Sequence, residues 1–491
     1  MSDTYRKLVQ IYEASGDLSA AAMLRQQVGH AFLGRCLPCV YHDRVDWLQV
    51  RHSTRFVIPP DLPMTARLPF RRLAPLTLLA LTALLAACGA FDTDVDRDSR
   101  LAGQLPPLSD GAIPSDFSAF VQSLWPAAAQ RGISRATFDA AFAGVGPDAD
   151  VLTKATAQPE FSRPIWDYLD DMTADSRIAT GRAMEVRNAG LLGDIERRYG
   201  VSRHVVVAIW GMESSYGTIL NDPTKVKNVI RALTTLAWKG GARSGYARQQ
   251  LMTALRILQH GDIDRRHMVG SWAGAMGQTQ FIPTTYVGFA VDYDGDGHRN
   301  IWTSVPDALA STANYLRKSG WQAGQTWGYE VSLPPVFDRS LSGATAPVAA
   351  WAARGVRRAG GGDFPRPGDQ ASLWLPAGSS GPAFLTLRNF DVIKRYNNAN
   401  AYALAAGLLA DRLAGGGALV GDWPRGYTPL DEAGRMELQQ RLAALGYPIS
   451  KIDGKIGAET RDAIRAFEQR NGLEDNGQAS LELLNLLRRS G

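Results

Sequence analysis

The segment Val205-Val-Val-Ala-Ile-Trp-Gly-Met212 sets eight uncharged residues in a row and ends them on one carboxylate, Glu213. A run of this kind must be buried, and its periodicity fits a buried helix or a buried strand. In either case Glu213 starts close to a core. The small residues Ser214 and Ser215, then Tyr216-Gly217, stop the element at once. Burial disfavours the charged form of a carboxyl and raises its pKa. A Glu that keeps its proton near neutral pH can serve as a general acid. An ordinary salt-bridged Glu is the competing reading while this segment stands alone.

A chain of 491 residues, 45% hydrophobic and 21% charged, has the composition of roughly three globular domains. That excludes a mainly disordered chain, a collagen-like chain and a polytopic membrane protein. The net charge of +5 is uneven: residues 1–88 hold 10 Lys/Arg against 6 Asp/Glu, which leaves the remainder at +1. Without a basic excess the main body is not expected to bind nucleic acid. The cysteines are Cys36, Cys39 and Cys88, so nothing beyond position 88 can form a disulfide. Cys36-Leu-Pro-Cys39 has CxxC spacing, but neither a second pair for zinc nor a βαβ context for redox chemistry accompanies it.

Residues 64–88 have the layout of an export signal. Arg67, Arg71 and Arg72 precede an uncharged apolar run from Leu73 to Ala87, which ends in Leu85-Ala86-Ala87-Cys88. The ending resembles a bacterial lipobox, which implies lipidation of Cys88. A transmembrane helix is the alternative, and the small residues before the cysteine favour cleavage. An export signal belongs at the start of a protein, so residues 1–63 are expected to be a non-native extension and Met64 the natural start. Residues 89–115 read as a tether.

Helical periodicity dominates from there to about 320, with Phe117, Phe120, Val121 and Leu124 at i, i+3, i+4 and i+7. Further helices are expected near Tyr246–Gln259 and Pro306–Lys318. Residues 321–390 are richer in Gly and Pro, with strand-like runs at Tyr329–Leu333 and Ala383–Leu387. Helix returns from Asn398 to Leu413. A linker at 414–429 follows, and residues 430–491 read as a separate unit of three short helices. Its pattern (Leu438-Gln439, Leu442, Leu445-Gly446-Tyr447, Asp453-Gly454, Ile456-Gly457, Thr460, Ala463, Phe467, Gly472-Leu473) resembles the peptidoglycan-binding domain family. These are core and turn positions, so they do not identify the side chains that touch a ligand.

The Glu213 segment gains its context from Gly270-Ser271-Trp-Ala-Gly274-Ala-Met276-Gly277-Gln-Thr-Gln280-Phe-Ile-Pro283. Together with Gln158–Phe161, Pro164–Leu169, Ala313–Leu316 and Arg395–Tyr402, these motifs resemble the membrane-bound lytic murein transglycosylase B family in order across 116–413. The resemblance implies a mainly α (α+β), lysozyme-like catalytic domain with a small β-containing insertion, beside the three-helix C-terminal module. It implies cleavage of the β-1,4 bond between N-acetylmuramic acid and N-acetylglucosamine in peptidoglycan, leaving 1,6-anhydromuramic ends. Glu213 matches the catalytic acid and base. Ser271 matches a serine that contacts the N-acetyl group, Gln280 the glutamine of its segment, and Asn397 an asparagine beside the reacting centre. Tyr168, Tyr246, Tyr315, Tyr396 and Tyr402 match aromatic wall positions, and Arg243 an arginine that handles the peptide. Ala242 stands where the family has a second arginine. No catalytic cofactor is implied. The expected partners are peptidoglycan strands and, through the lipid anchor, a membrane; the expected location is the periplasmic face of the outer membrane, as a monomer. A non-catalytic peptidoglycan-binding lipoprotein and a hydrolytic muramidase are the alternatives.

Asp292, Asp294 and Asp296 stand on alternate residues before Gly297, the opening of an EF-hand loop. Thr303 replaces the usual Glu at position 12, and the family resemblance implies Asp307 in its stead, with His298 offering its carbonyl. A structural Ca2+ or Na+ is expected there; a solvated acidic turn is the alternative.

Overall fold

The structure, a computed structural model, describes residues 113–156, 164–473 and 476–490. The Cys36/Cys39 pair, the 64–88 segment with Cys88, and the Gln158–Phe161 motif lie outside the described residues.

Among the described residues four helices come first: α1 (Phe117–Ser123), α2 (Trp125–Gln130), α3 (Arg135–Phe142) and α4 (Ala149–Thr156). Asp116 and Ser134 cap α1 and α3, each accepting a backbone N–H three residues on. Next are α5 (Ile165–Met172), α6 (Asp175–Arg187), α7 (Ala189–Tyr199) and α8 (Arg203–Ser214). The ambiguous apolar run is therefore a helix. Every residue of α8 from Val205 to Ser214 is buried, because neighbours cover it on all sides: α6 and the later helices at Val305–Lys318 and Asn400–Leu413 pack against it. Full burial of a side chain such as Val207 or Ile209 contributes about 1.5–3 kcal/mol.

The strands β1 (Lys227–Asn228) and β2 (Val269–Gly270) pair antiparallel around α9 (Val229–Lys239) and α10 (Ser244–His260). After β2 come α11 (Pro283–Phe289) and α12 (Val305–Lys318). A five-stranded antiparallel sheet then follows, in the order β4-β6-β7-β3-β5. Its strands are β3 (Gly328–Ser332), β4 (Thr345–Pro347), β5 (Arg357–Arg358), β6 (Gln370–Trp374) and β7 (Ala383–Thr386), with α13 (Val348–Ala353) between β4 and β5. The sheet has its own core, centred on Val348, Trp351, Leu373 and Leu385. The chain returns to the helical body through α14 (Arg388–Tyr396) and α15 (Asn400–Leu413). A third core, with Leu438, Leu442, Ile464, Phe467 and Leu484, joins α16 (Glu432–Ala444), α17 (Ala458–Arg470) and α18 (Leu481–Ser490). Among the described residues no helix is long and apolar enough to cross a membrane.

Candidate active site

Glu213 occupies the last turn of α8. Directly after it Ser215 (φ 50°), Tyr216 (φ 61°) and Gly217 (φ 82°) all take the left-handed conformation. For non-glycine residues that conformation costs energy, and here surrounding contacts hold it. The Tyr216 ring packs edge-on to Trp210, and its hydroxyl donates to the Arg177 carbonyl at 2.8 Å. A Cβ on Gly211 would lie 2.5 Å from that ring, so the helix needs glycine there. The Arg177 guanidinium donates to the Gly211 carbonyl, which also accepts the Ser215 N–H at 3.1 Å at the helix end.

The carboxyl of Glu213 is buried, and Tyr402 Oη donates to its Oε1 at 2.6 Å. Burial pushes its pKa up from 4.5 to about 7, while the Tyr402 bond acts in the opposite sense by favouring the carboxylate. Among the described residues no neighbouring carboxylate contributes to the shift. Tyr402 stacks nearly parallel to Tyr396 (6.4 Å, 6°), and Tyr396 donates to the Thr279 carbonyl at 2.7 Å. This chain of contacts ties Glu213 to the 270–283 segment. A second tie runs through Gln278: its Oε1 accepts from Trp210 Nε1 at 2.9 Å, and its Nε2 donates to the Trp302 carbonyl at 3.2 Å.

The expected site residues fall into several places. Gln280 is held at φ 53° and donates from Nε2 to the Gly277 carbonyl, and among the described residues its Oε1 has no protein partner. Asn397, buried at the end of α14, likewise has an unpaired Oδ1. Two buried acceptors beside the glutamate network thus remain open to donors from a ligand. Ser271 is almost wholly buried, and its Oγ accepts the Ala275 N–H at 3.0 Å. Tyr168 and Tyr396 are half-buried; burial and the nearby Glu213 charge both raise the Tyr168 pKa. Tyr246 is half-buried in the first turn of α10. The exposed Arg243 sets its guanidinium over the Trp272 ring at 5.9 Å.

Two tyrosines differ from the sequence expectation. Tyr315 lies in an aromatic core with Phe281, Phe289 and Tyr396, and its hydroxyl donates to the Arg395 carbonyl. It braces the wall from behind. Tyr402 is buried too, and its polar end serves Glu213. Gln278 and Arg177 were missed as positioning residues. Gln278 stood inside the quoted motif, but nothing in sequence separates it from Gln280. Replacing Tyr402 by Phe removes the one bond that favours the charged Glu213. The basic limb of the pH–rate profile is therefore expected to move to higher pH, with a maximal rate about tenfold lower. Initial rates across pH check both.

In the acidic loop the carboxylates of Asp292, Asp294 and Asp296 are exposed, with ligand oxygens within 4.8 Å of one another. Oxygens sharing one Ca2+ at 2.3–2.6 Å can be no more than about 5 Å apart, so these three fit a hard cation. Asp307 is not one of this cluster. It is wholly buried, accepting the N–H groups of Tyr293 at 2.8 Å and Asn300 at 2.7 Å, and so braces the loop from within. Just beyond, Ile301 and Trp302 hydrogen-bond to Gln278, which couples the loop to the glutamate wall.

The family model described as "Transglycosylase SLT domain" matches residues 116–411. The chain belongs to the SLT-domain transglycosylase family. A peptidoglycan binding domain model matches residues 431–487. The membrane-bound lytic murein transglycosylase B of Escherichia coli K12 is 34% identical over 223 residues; the match spans 44% of this chain and 58% of that relative. The crystal structure of SltB3 from Pseudomonas aeruginosa, in complex with NAG-anhNAM-pentapeptide, superposes with a TM-score of 0.72 at 51% identity, covering 76% of this chain and 100% of that one. The E. coli lytic transglycosylase SLT35, in complex with calcium, superposes with a TM-score of 0.50 at 26% identity, covering 61% of this chain and 93% of that one. The lysozyme-like, mainly helical fold with a small sheet is therefore that of the SLT-domain transglycosylases.

Proposed function

We propose that this chain is a lytic murein transglycosylase that cleaves the β-1,4 bond between N-acetylmuramic acid and N-acetylglucosamine and leaves a 1,6-anhydromuramic end. The observation that carries the reading is the buried carboxyl of Glu213, protonated up to about pH 7, with no second carboxylate among the described residues contributing to its shift. Glycosidases that add water use two carboxylates, one of them to activate water or to attack C1. Here Glu213 donates its proton to the bridging oxygen as that bond to C1 breaks. As the carboxylate it then takes the proton from the C6 hydroxyl of the same muramic residue, whose oxygen closes on C1. The hydroxyl is intramolecular and has a high effective concentration without activation by a second residue. Gln280 Oε1 and Asn397 Oδ1 accept from sugar N–H or O–H groups, Ser271 meets the N-acetyl group, and Tyr168, Tyr246 and Tyr396 lie against sugar faces. Arg243 faces the peptide.

Lipidated Cys88 anchors the protein to the outer membrane, with the 430–491 module holding the same polymer. Digestion of purified cell wall followed by muropeptide mass analysis tests the reading. Ends lighter by one water than hydrolysed ends support the lyase; hydrolysed ends identify a muramidase, and no release a binder.

Asp292, Asp294, Asp296 and the His298 carbonyl hold a structural Ca2+, with Asp307 buttressing the loop. SLT35 was crystallised in complex with calcium, which supports this. Saturating Ca2+ is expected to raise the Tm of chelator-treated protein by about 2–5 °C, and Asp294→Ala to abolish the rise, as differential scanning fluorimetry will read.

A further inference from the structure

The C-terminal module is fixed against the catalytic body by its linker. The N–H groups of Val420 and Gly421 donate to the Glu330 carboxylate at 2.9 and 2.7 Å. Arg425 forms a two-pronged pair with Asp170 at 2.7 and 2.9 Å. The Trp423 ring stacks on Phe384 and, with Tyr427, packs beside Trp166. Between the two parts this leaves a groove of about 600 Å³, lined on one side by Lys394 and residues 398–401 and on the other by α17.

The groove's charge is one-sided. Lys394 enters from α14, and Arg461 and Arg465 from one face of α17. Asp462 is the one acid in the lining, and it pairs with Arg465 at 3.0 Å. Arg435 also lines the groove, but its guanidinium donates to the Leu430 and Gly454 carbonyls. Among the described residues Lys394 and Arg461 make no side-chain hydrogen bond or ion pair. Burial and the neighbouring Arg465 hold Arg461 below the usual arginine range, a strain that an anion between them would relieve. Trp374, Ile165 and Ile456 supply apolar walls.

The groove also shares a loop with the active site. Asn397 and Tyr402 belong to the Glu213 network, while Asn398 to Ala401 between them line the groove. The groove therefore adjoins the site through the 397–402 segment. N-acetylglucosamine is neutral and the lactyl carboxyl of muramic acid is an amide wherever a stem is attached, so on a stem-bearing strand the negative charges are peptide carboxylates; a peptide-free strand keeps its carboxylates on the sugar instead.

We propose that this groove binds a carboxylate of a peptide stem, through Arg461 and Lys394, on the strand held at Glu213. The inference rests on the lyase reading for the identity of the strand. The test uses full-chain protein and three synthetic strands: peptide-free, carrying pentapeptide stems, and carrying the same stems with their carboxylates amidated. KM and kcat are read from product release, and Kd for the free pentapeptide by calorimetry. Arg461→Gln and Lys394→Gln are each expected to raise KM for the stem-bearing strand about tenfold at unchanged kcat, the loss of one charge-assisted contact. Both should leave the peptide-free and amidated strands unaffected, and Arg461→Lys should recover part of the loss. Arg470→Gln, outside the groove, should change nothing. Because the two variants sit on opposite walls, damage to the C-terminal module alone cannot reproduce the pattern. An unchanged KM in both, or an equal rise on peptide-free strands, overturns the proposal. If wild type releases no anhydro product, the lyase reading fails instead; pentapeptide binding that depends on Arg461 and Lys394 then still supports the groove, and its absence overturns it.

Discussion

Glu213→Gln is expected to lower the release of anhydro-ended fragments by about 10²–10⁴-fold, the span attributed to a well-placed general acid and base. Glutamine keeps the shape and can still accept the Tyr402 hydroxyl, so binding of strands should survive while turnover does not. The wild-type rate should fall as pH rises through about 7, where Glu213 gives up its proton. Stability carries the same signature. A carboxyl with a folded-state pKa of about 7 and an ordinary value of 4.5 binds more protons folded than unfolded between those limits. Its favourable contribution is complete below about 4.5 and lost as pH rises through 7. Above that pH the native protein holds a buried charge, and the neutral glutamine variant should be more stable by something of the order of 3 kcal/mol. Denaturant unfolding of both proteins at pH 5 and pH 8 measures the crossover. A variant that loses activity without gaining relative stability at pH 8 would mean that Glu213 is not held protonated by burial.

Much of this site was legible in sequence because its chemistry sits on short contiguous motifs. The run ending at Glu213 announces a buried carboxyl, and burial is indeed the cause of its raised pKa. Whether the run was helix or strand was not legible. An element covered on all sides loses the polar face that betrays its period, and α8 is covered by α6, α12 and α15. The helices near 246–259 and 306–318 are also largely buried, but they keep polar residues interspersed at helical spacing and could be read within a few residues. The sheet showed only through Tyr329–Leu333 and Ala383–Leu387, and the five-residue β6 did not stand out from its Gly- and Pro-rich surroundings. The two-residue β5 carries no pattern at all. Side-chain roles were hardest to assign. Tyr315, Tyr396 and Tyr402 are alike in a motif, yet one hydroxyl reaches the Arg395 carbonyl, one the Thr279 carbonyl and one Glu213. Those partners lie up to 189 residues away in sequence, so only the folded topology separates bracing from chemistry. Asp307 followed the same rule: backbone donors at Tyr293 and Asn300 decide that it faces inward.

The wall opposite Glu213 depends on a residue with no side chain. Gly270 bridges Met276, which in turn bridges Phe281, and Ser271 exchanges two hydrogen bonds with Ala275. A Cβ on Gly270 would lie 1.8 Å from the Ala275 carbonyl oxygen and 2.8 Å from its carbon. Both are backbone atoms that no rotamer change can move. Gly270→Ala must therefore push the 271–281 turn outward. That breaks the Ser271 pair, draws Gln278 away from Trp210 and loosens the Thr279 carbonyl from Tyr396. The expected cost exceeds about 3 kcal/mol, the upper range for overpacking, because relaxation is blocked. The Tm should fall by about 5 °C or more. Activity should drop by more than tenfold even in the fraction that stays folded, since displacement of about 1 Å in a positioned site is enough to misalign acid and sugar oxygen. Thermal unfolding and initial rates at a temperature well below the variant's transition separate the two losses. Wild-type stability together with wild-type turnover in Gly270→Ala would show that the close approach of residues 270 and 275 does not hold this wall.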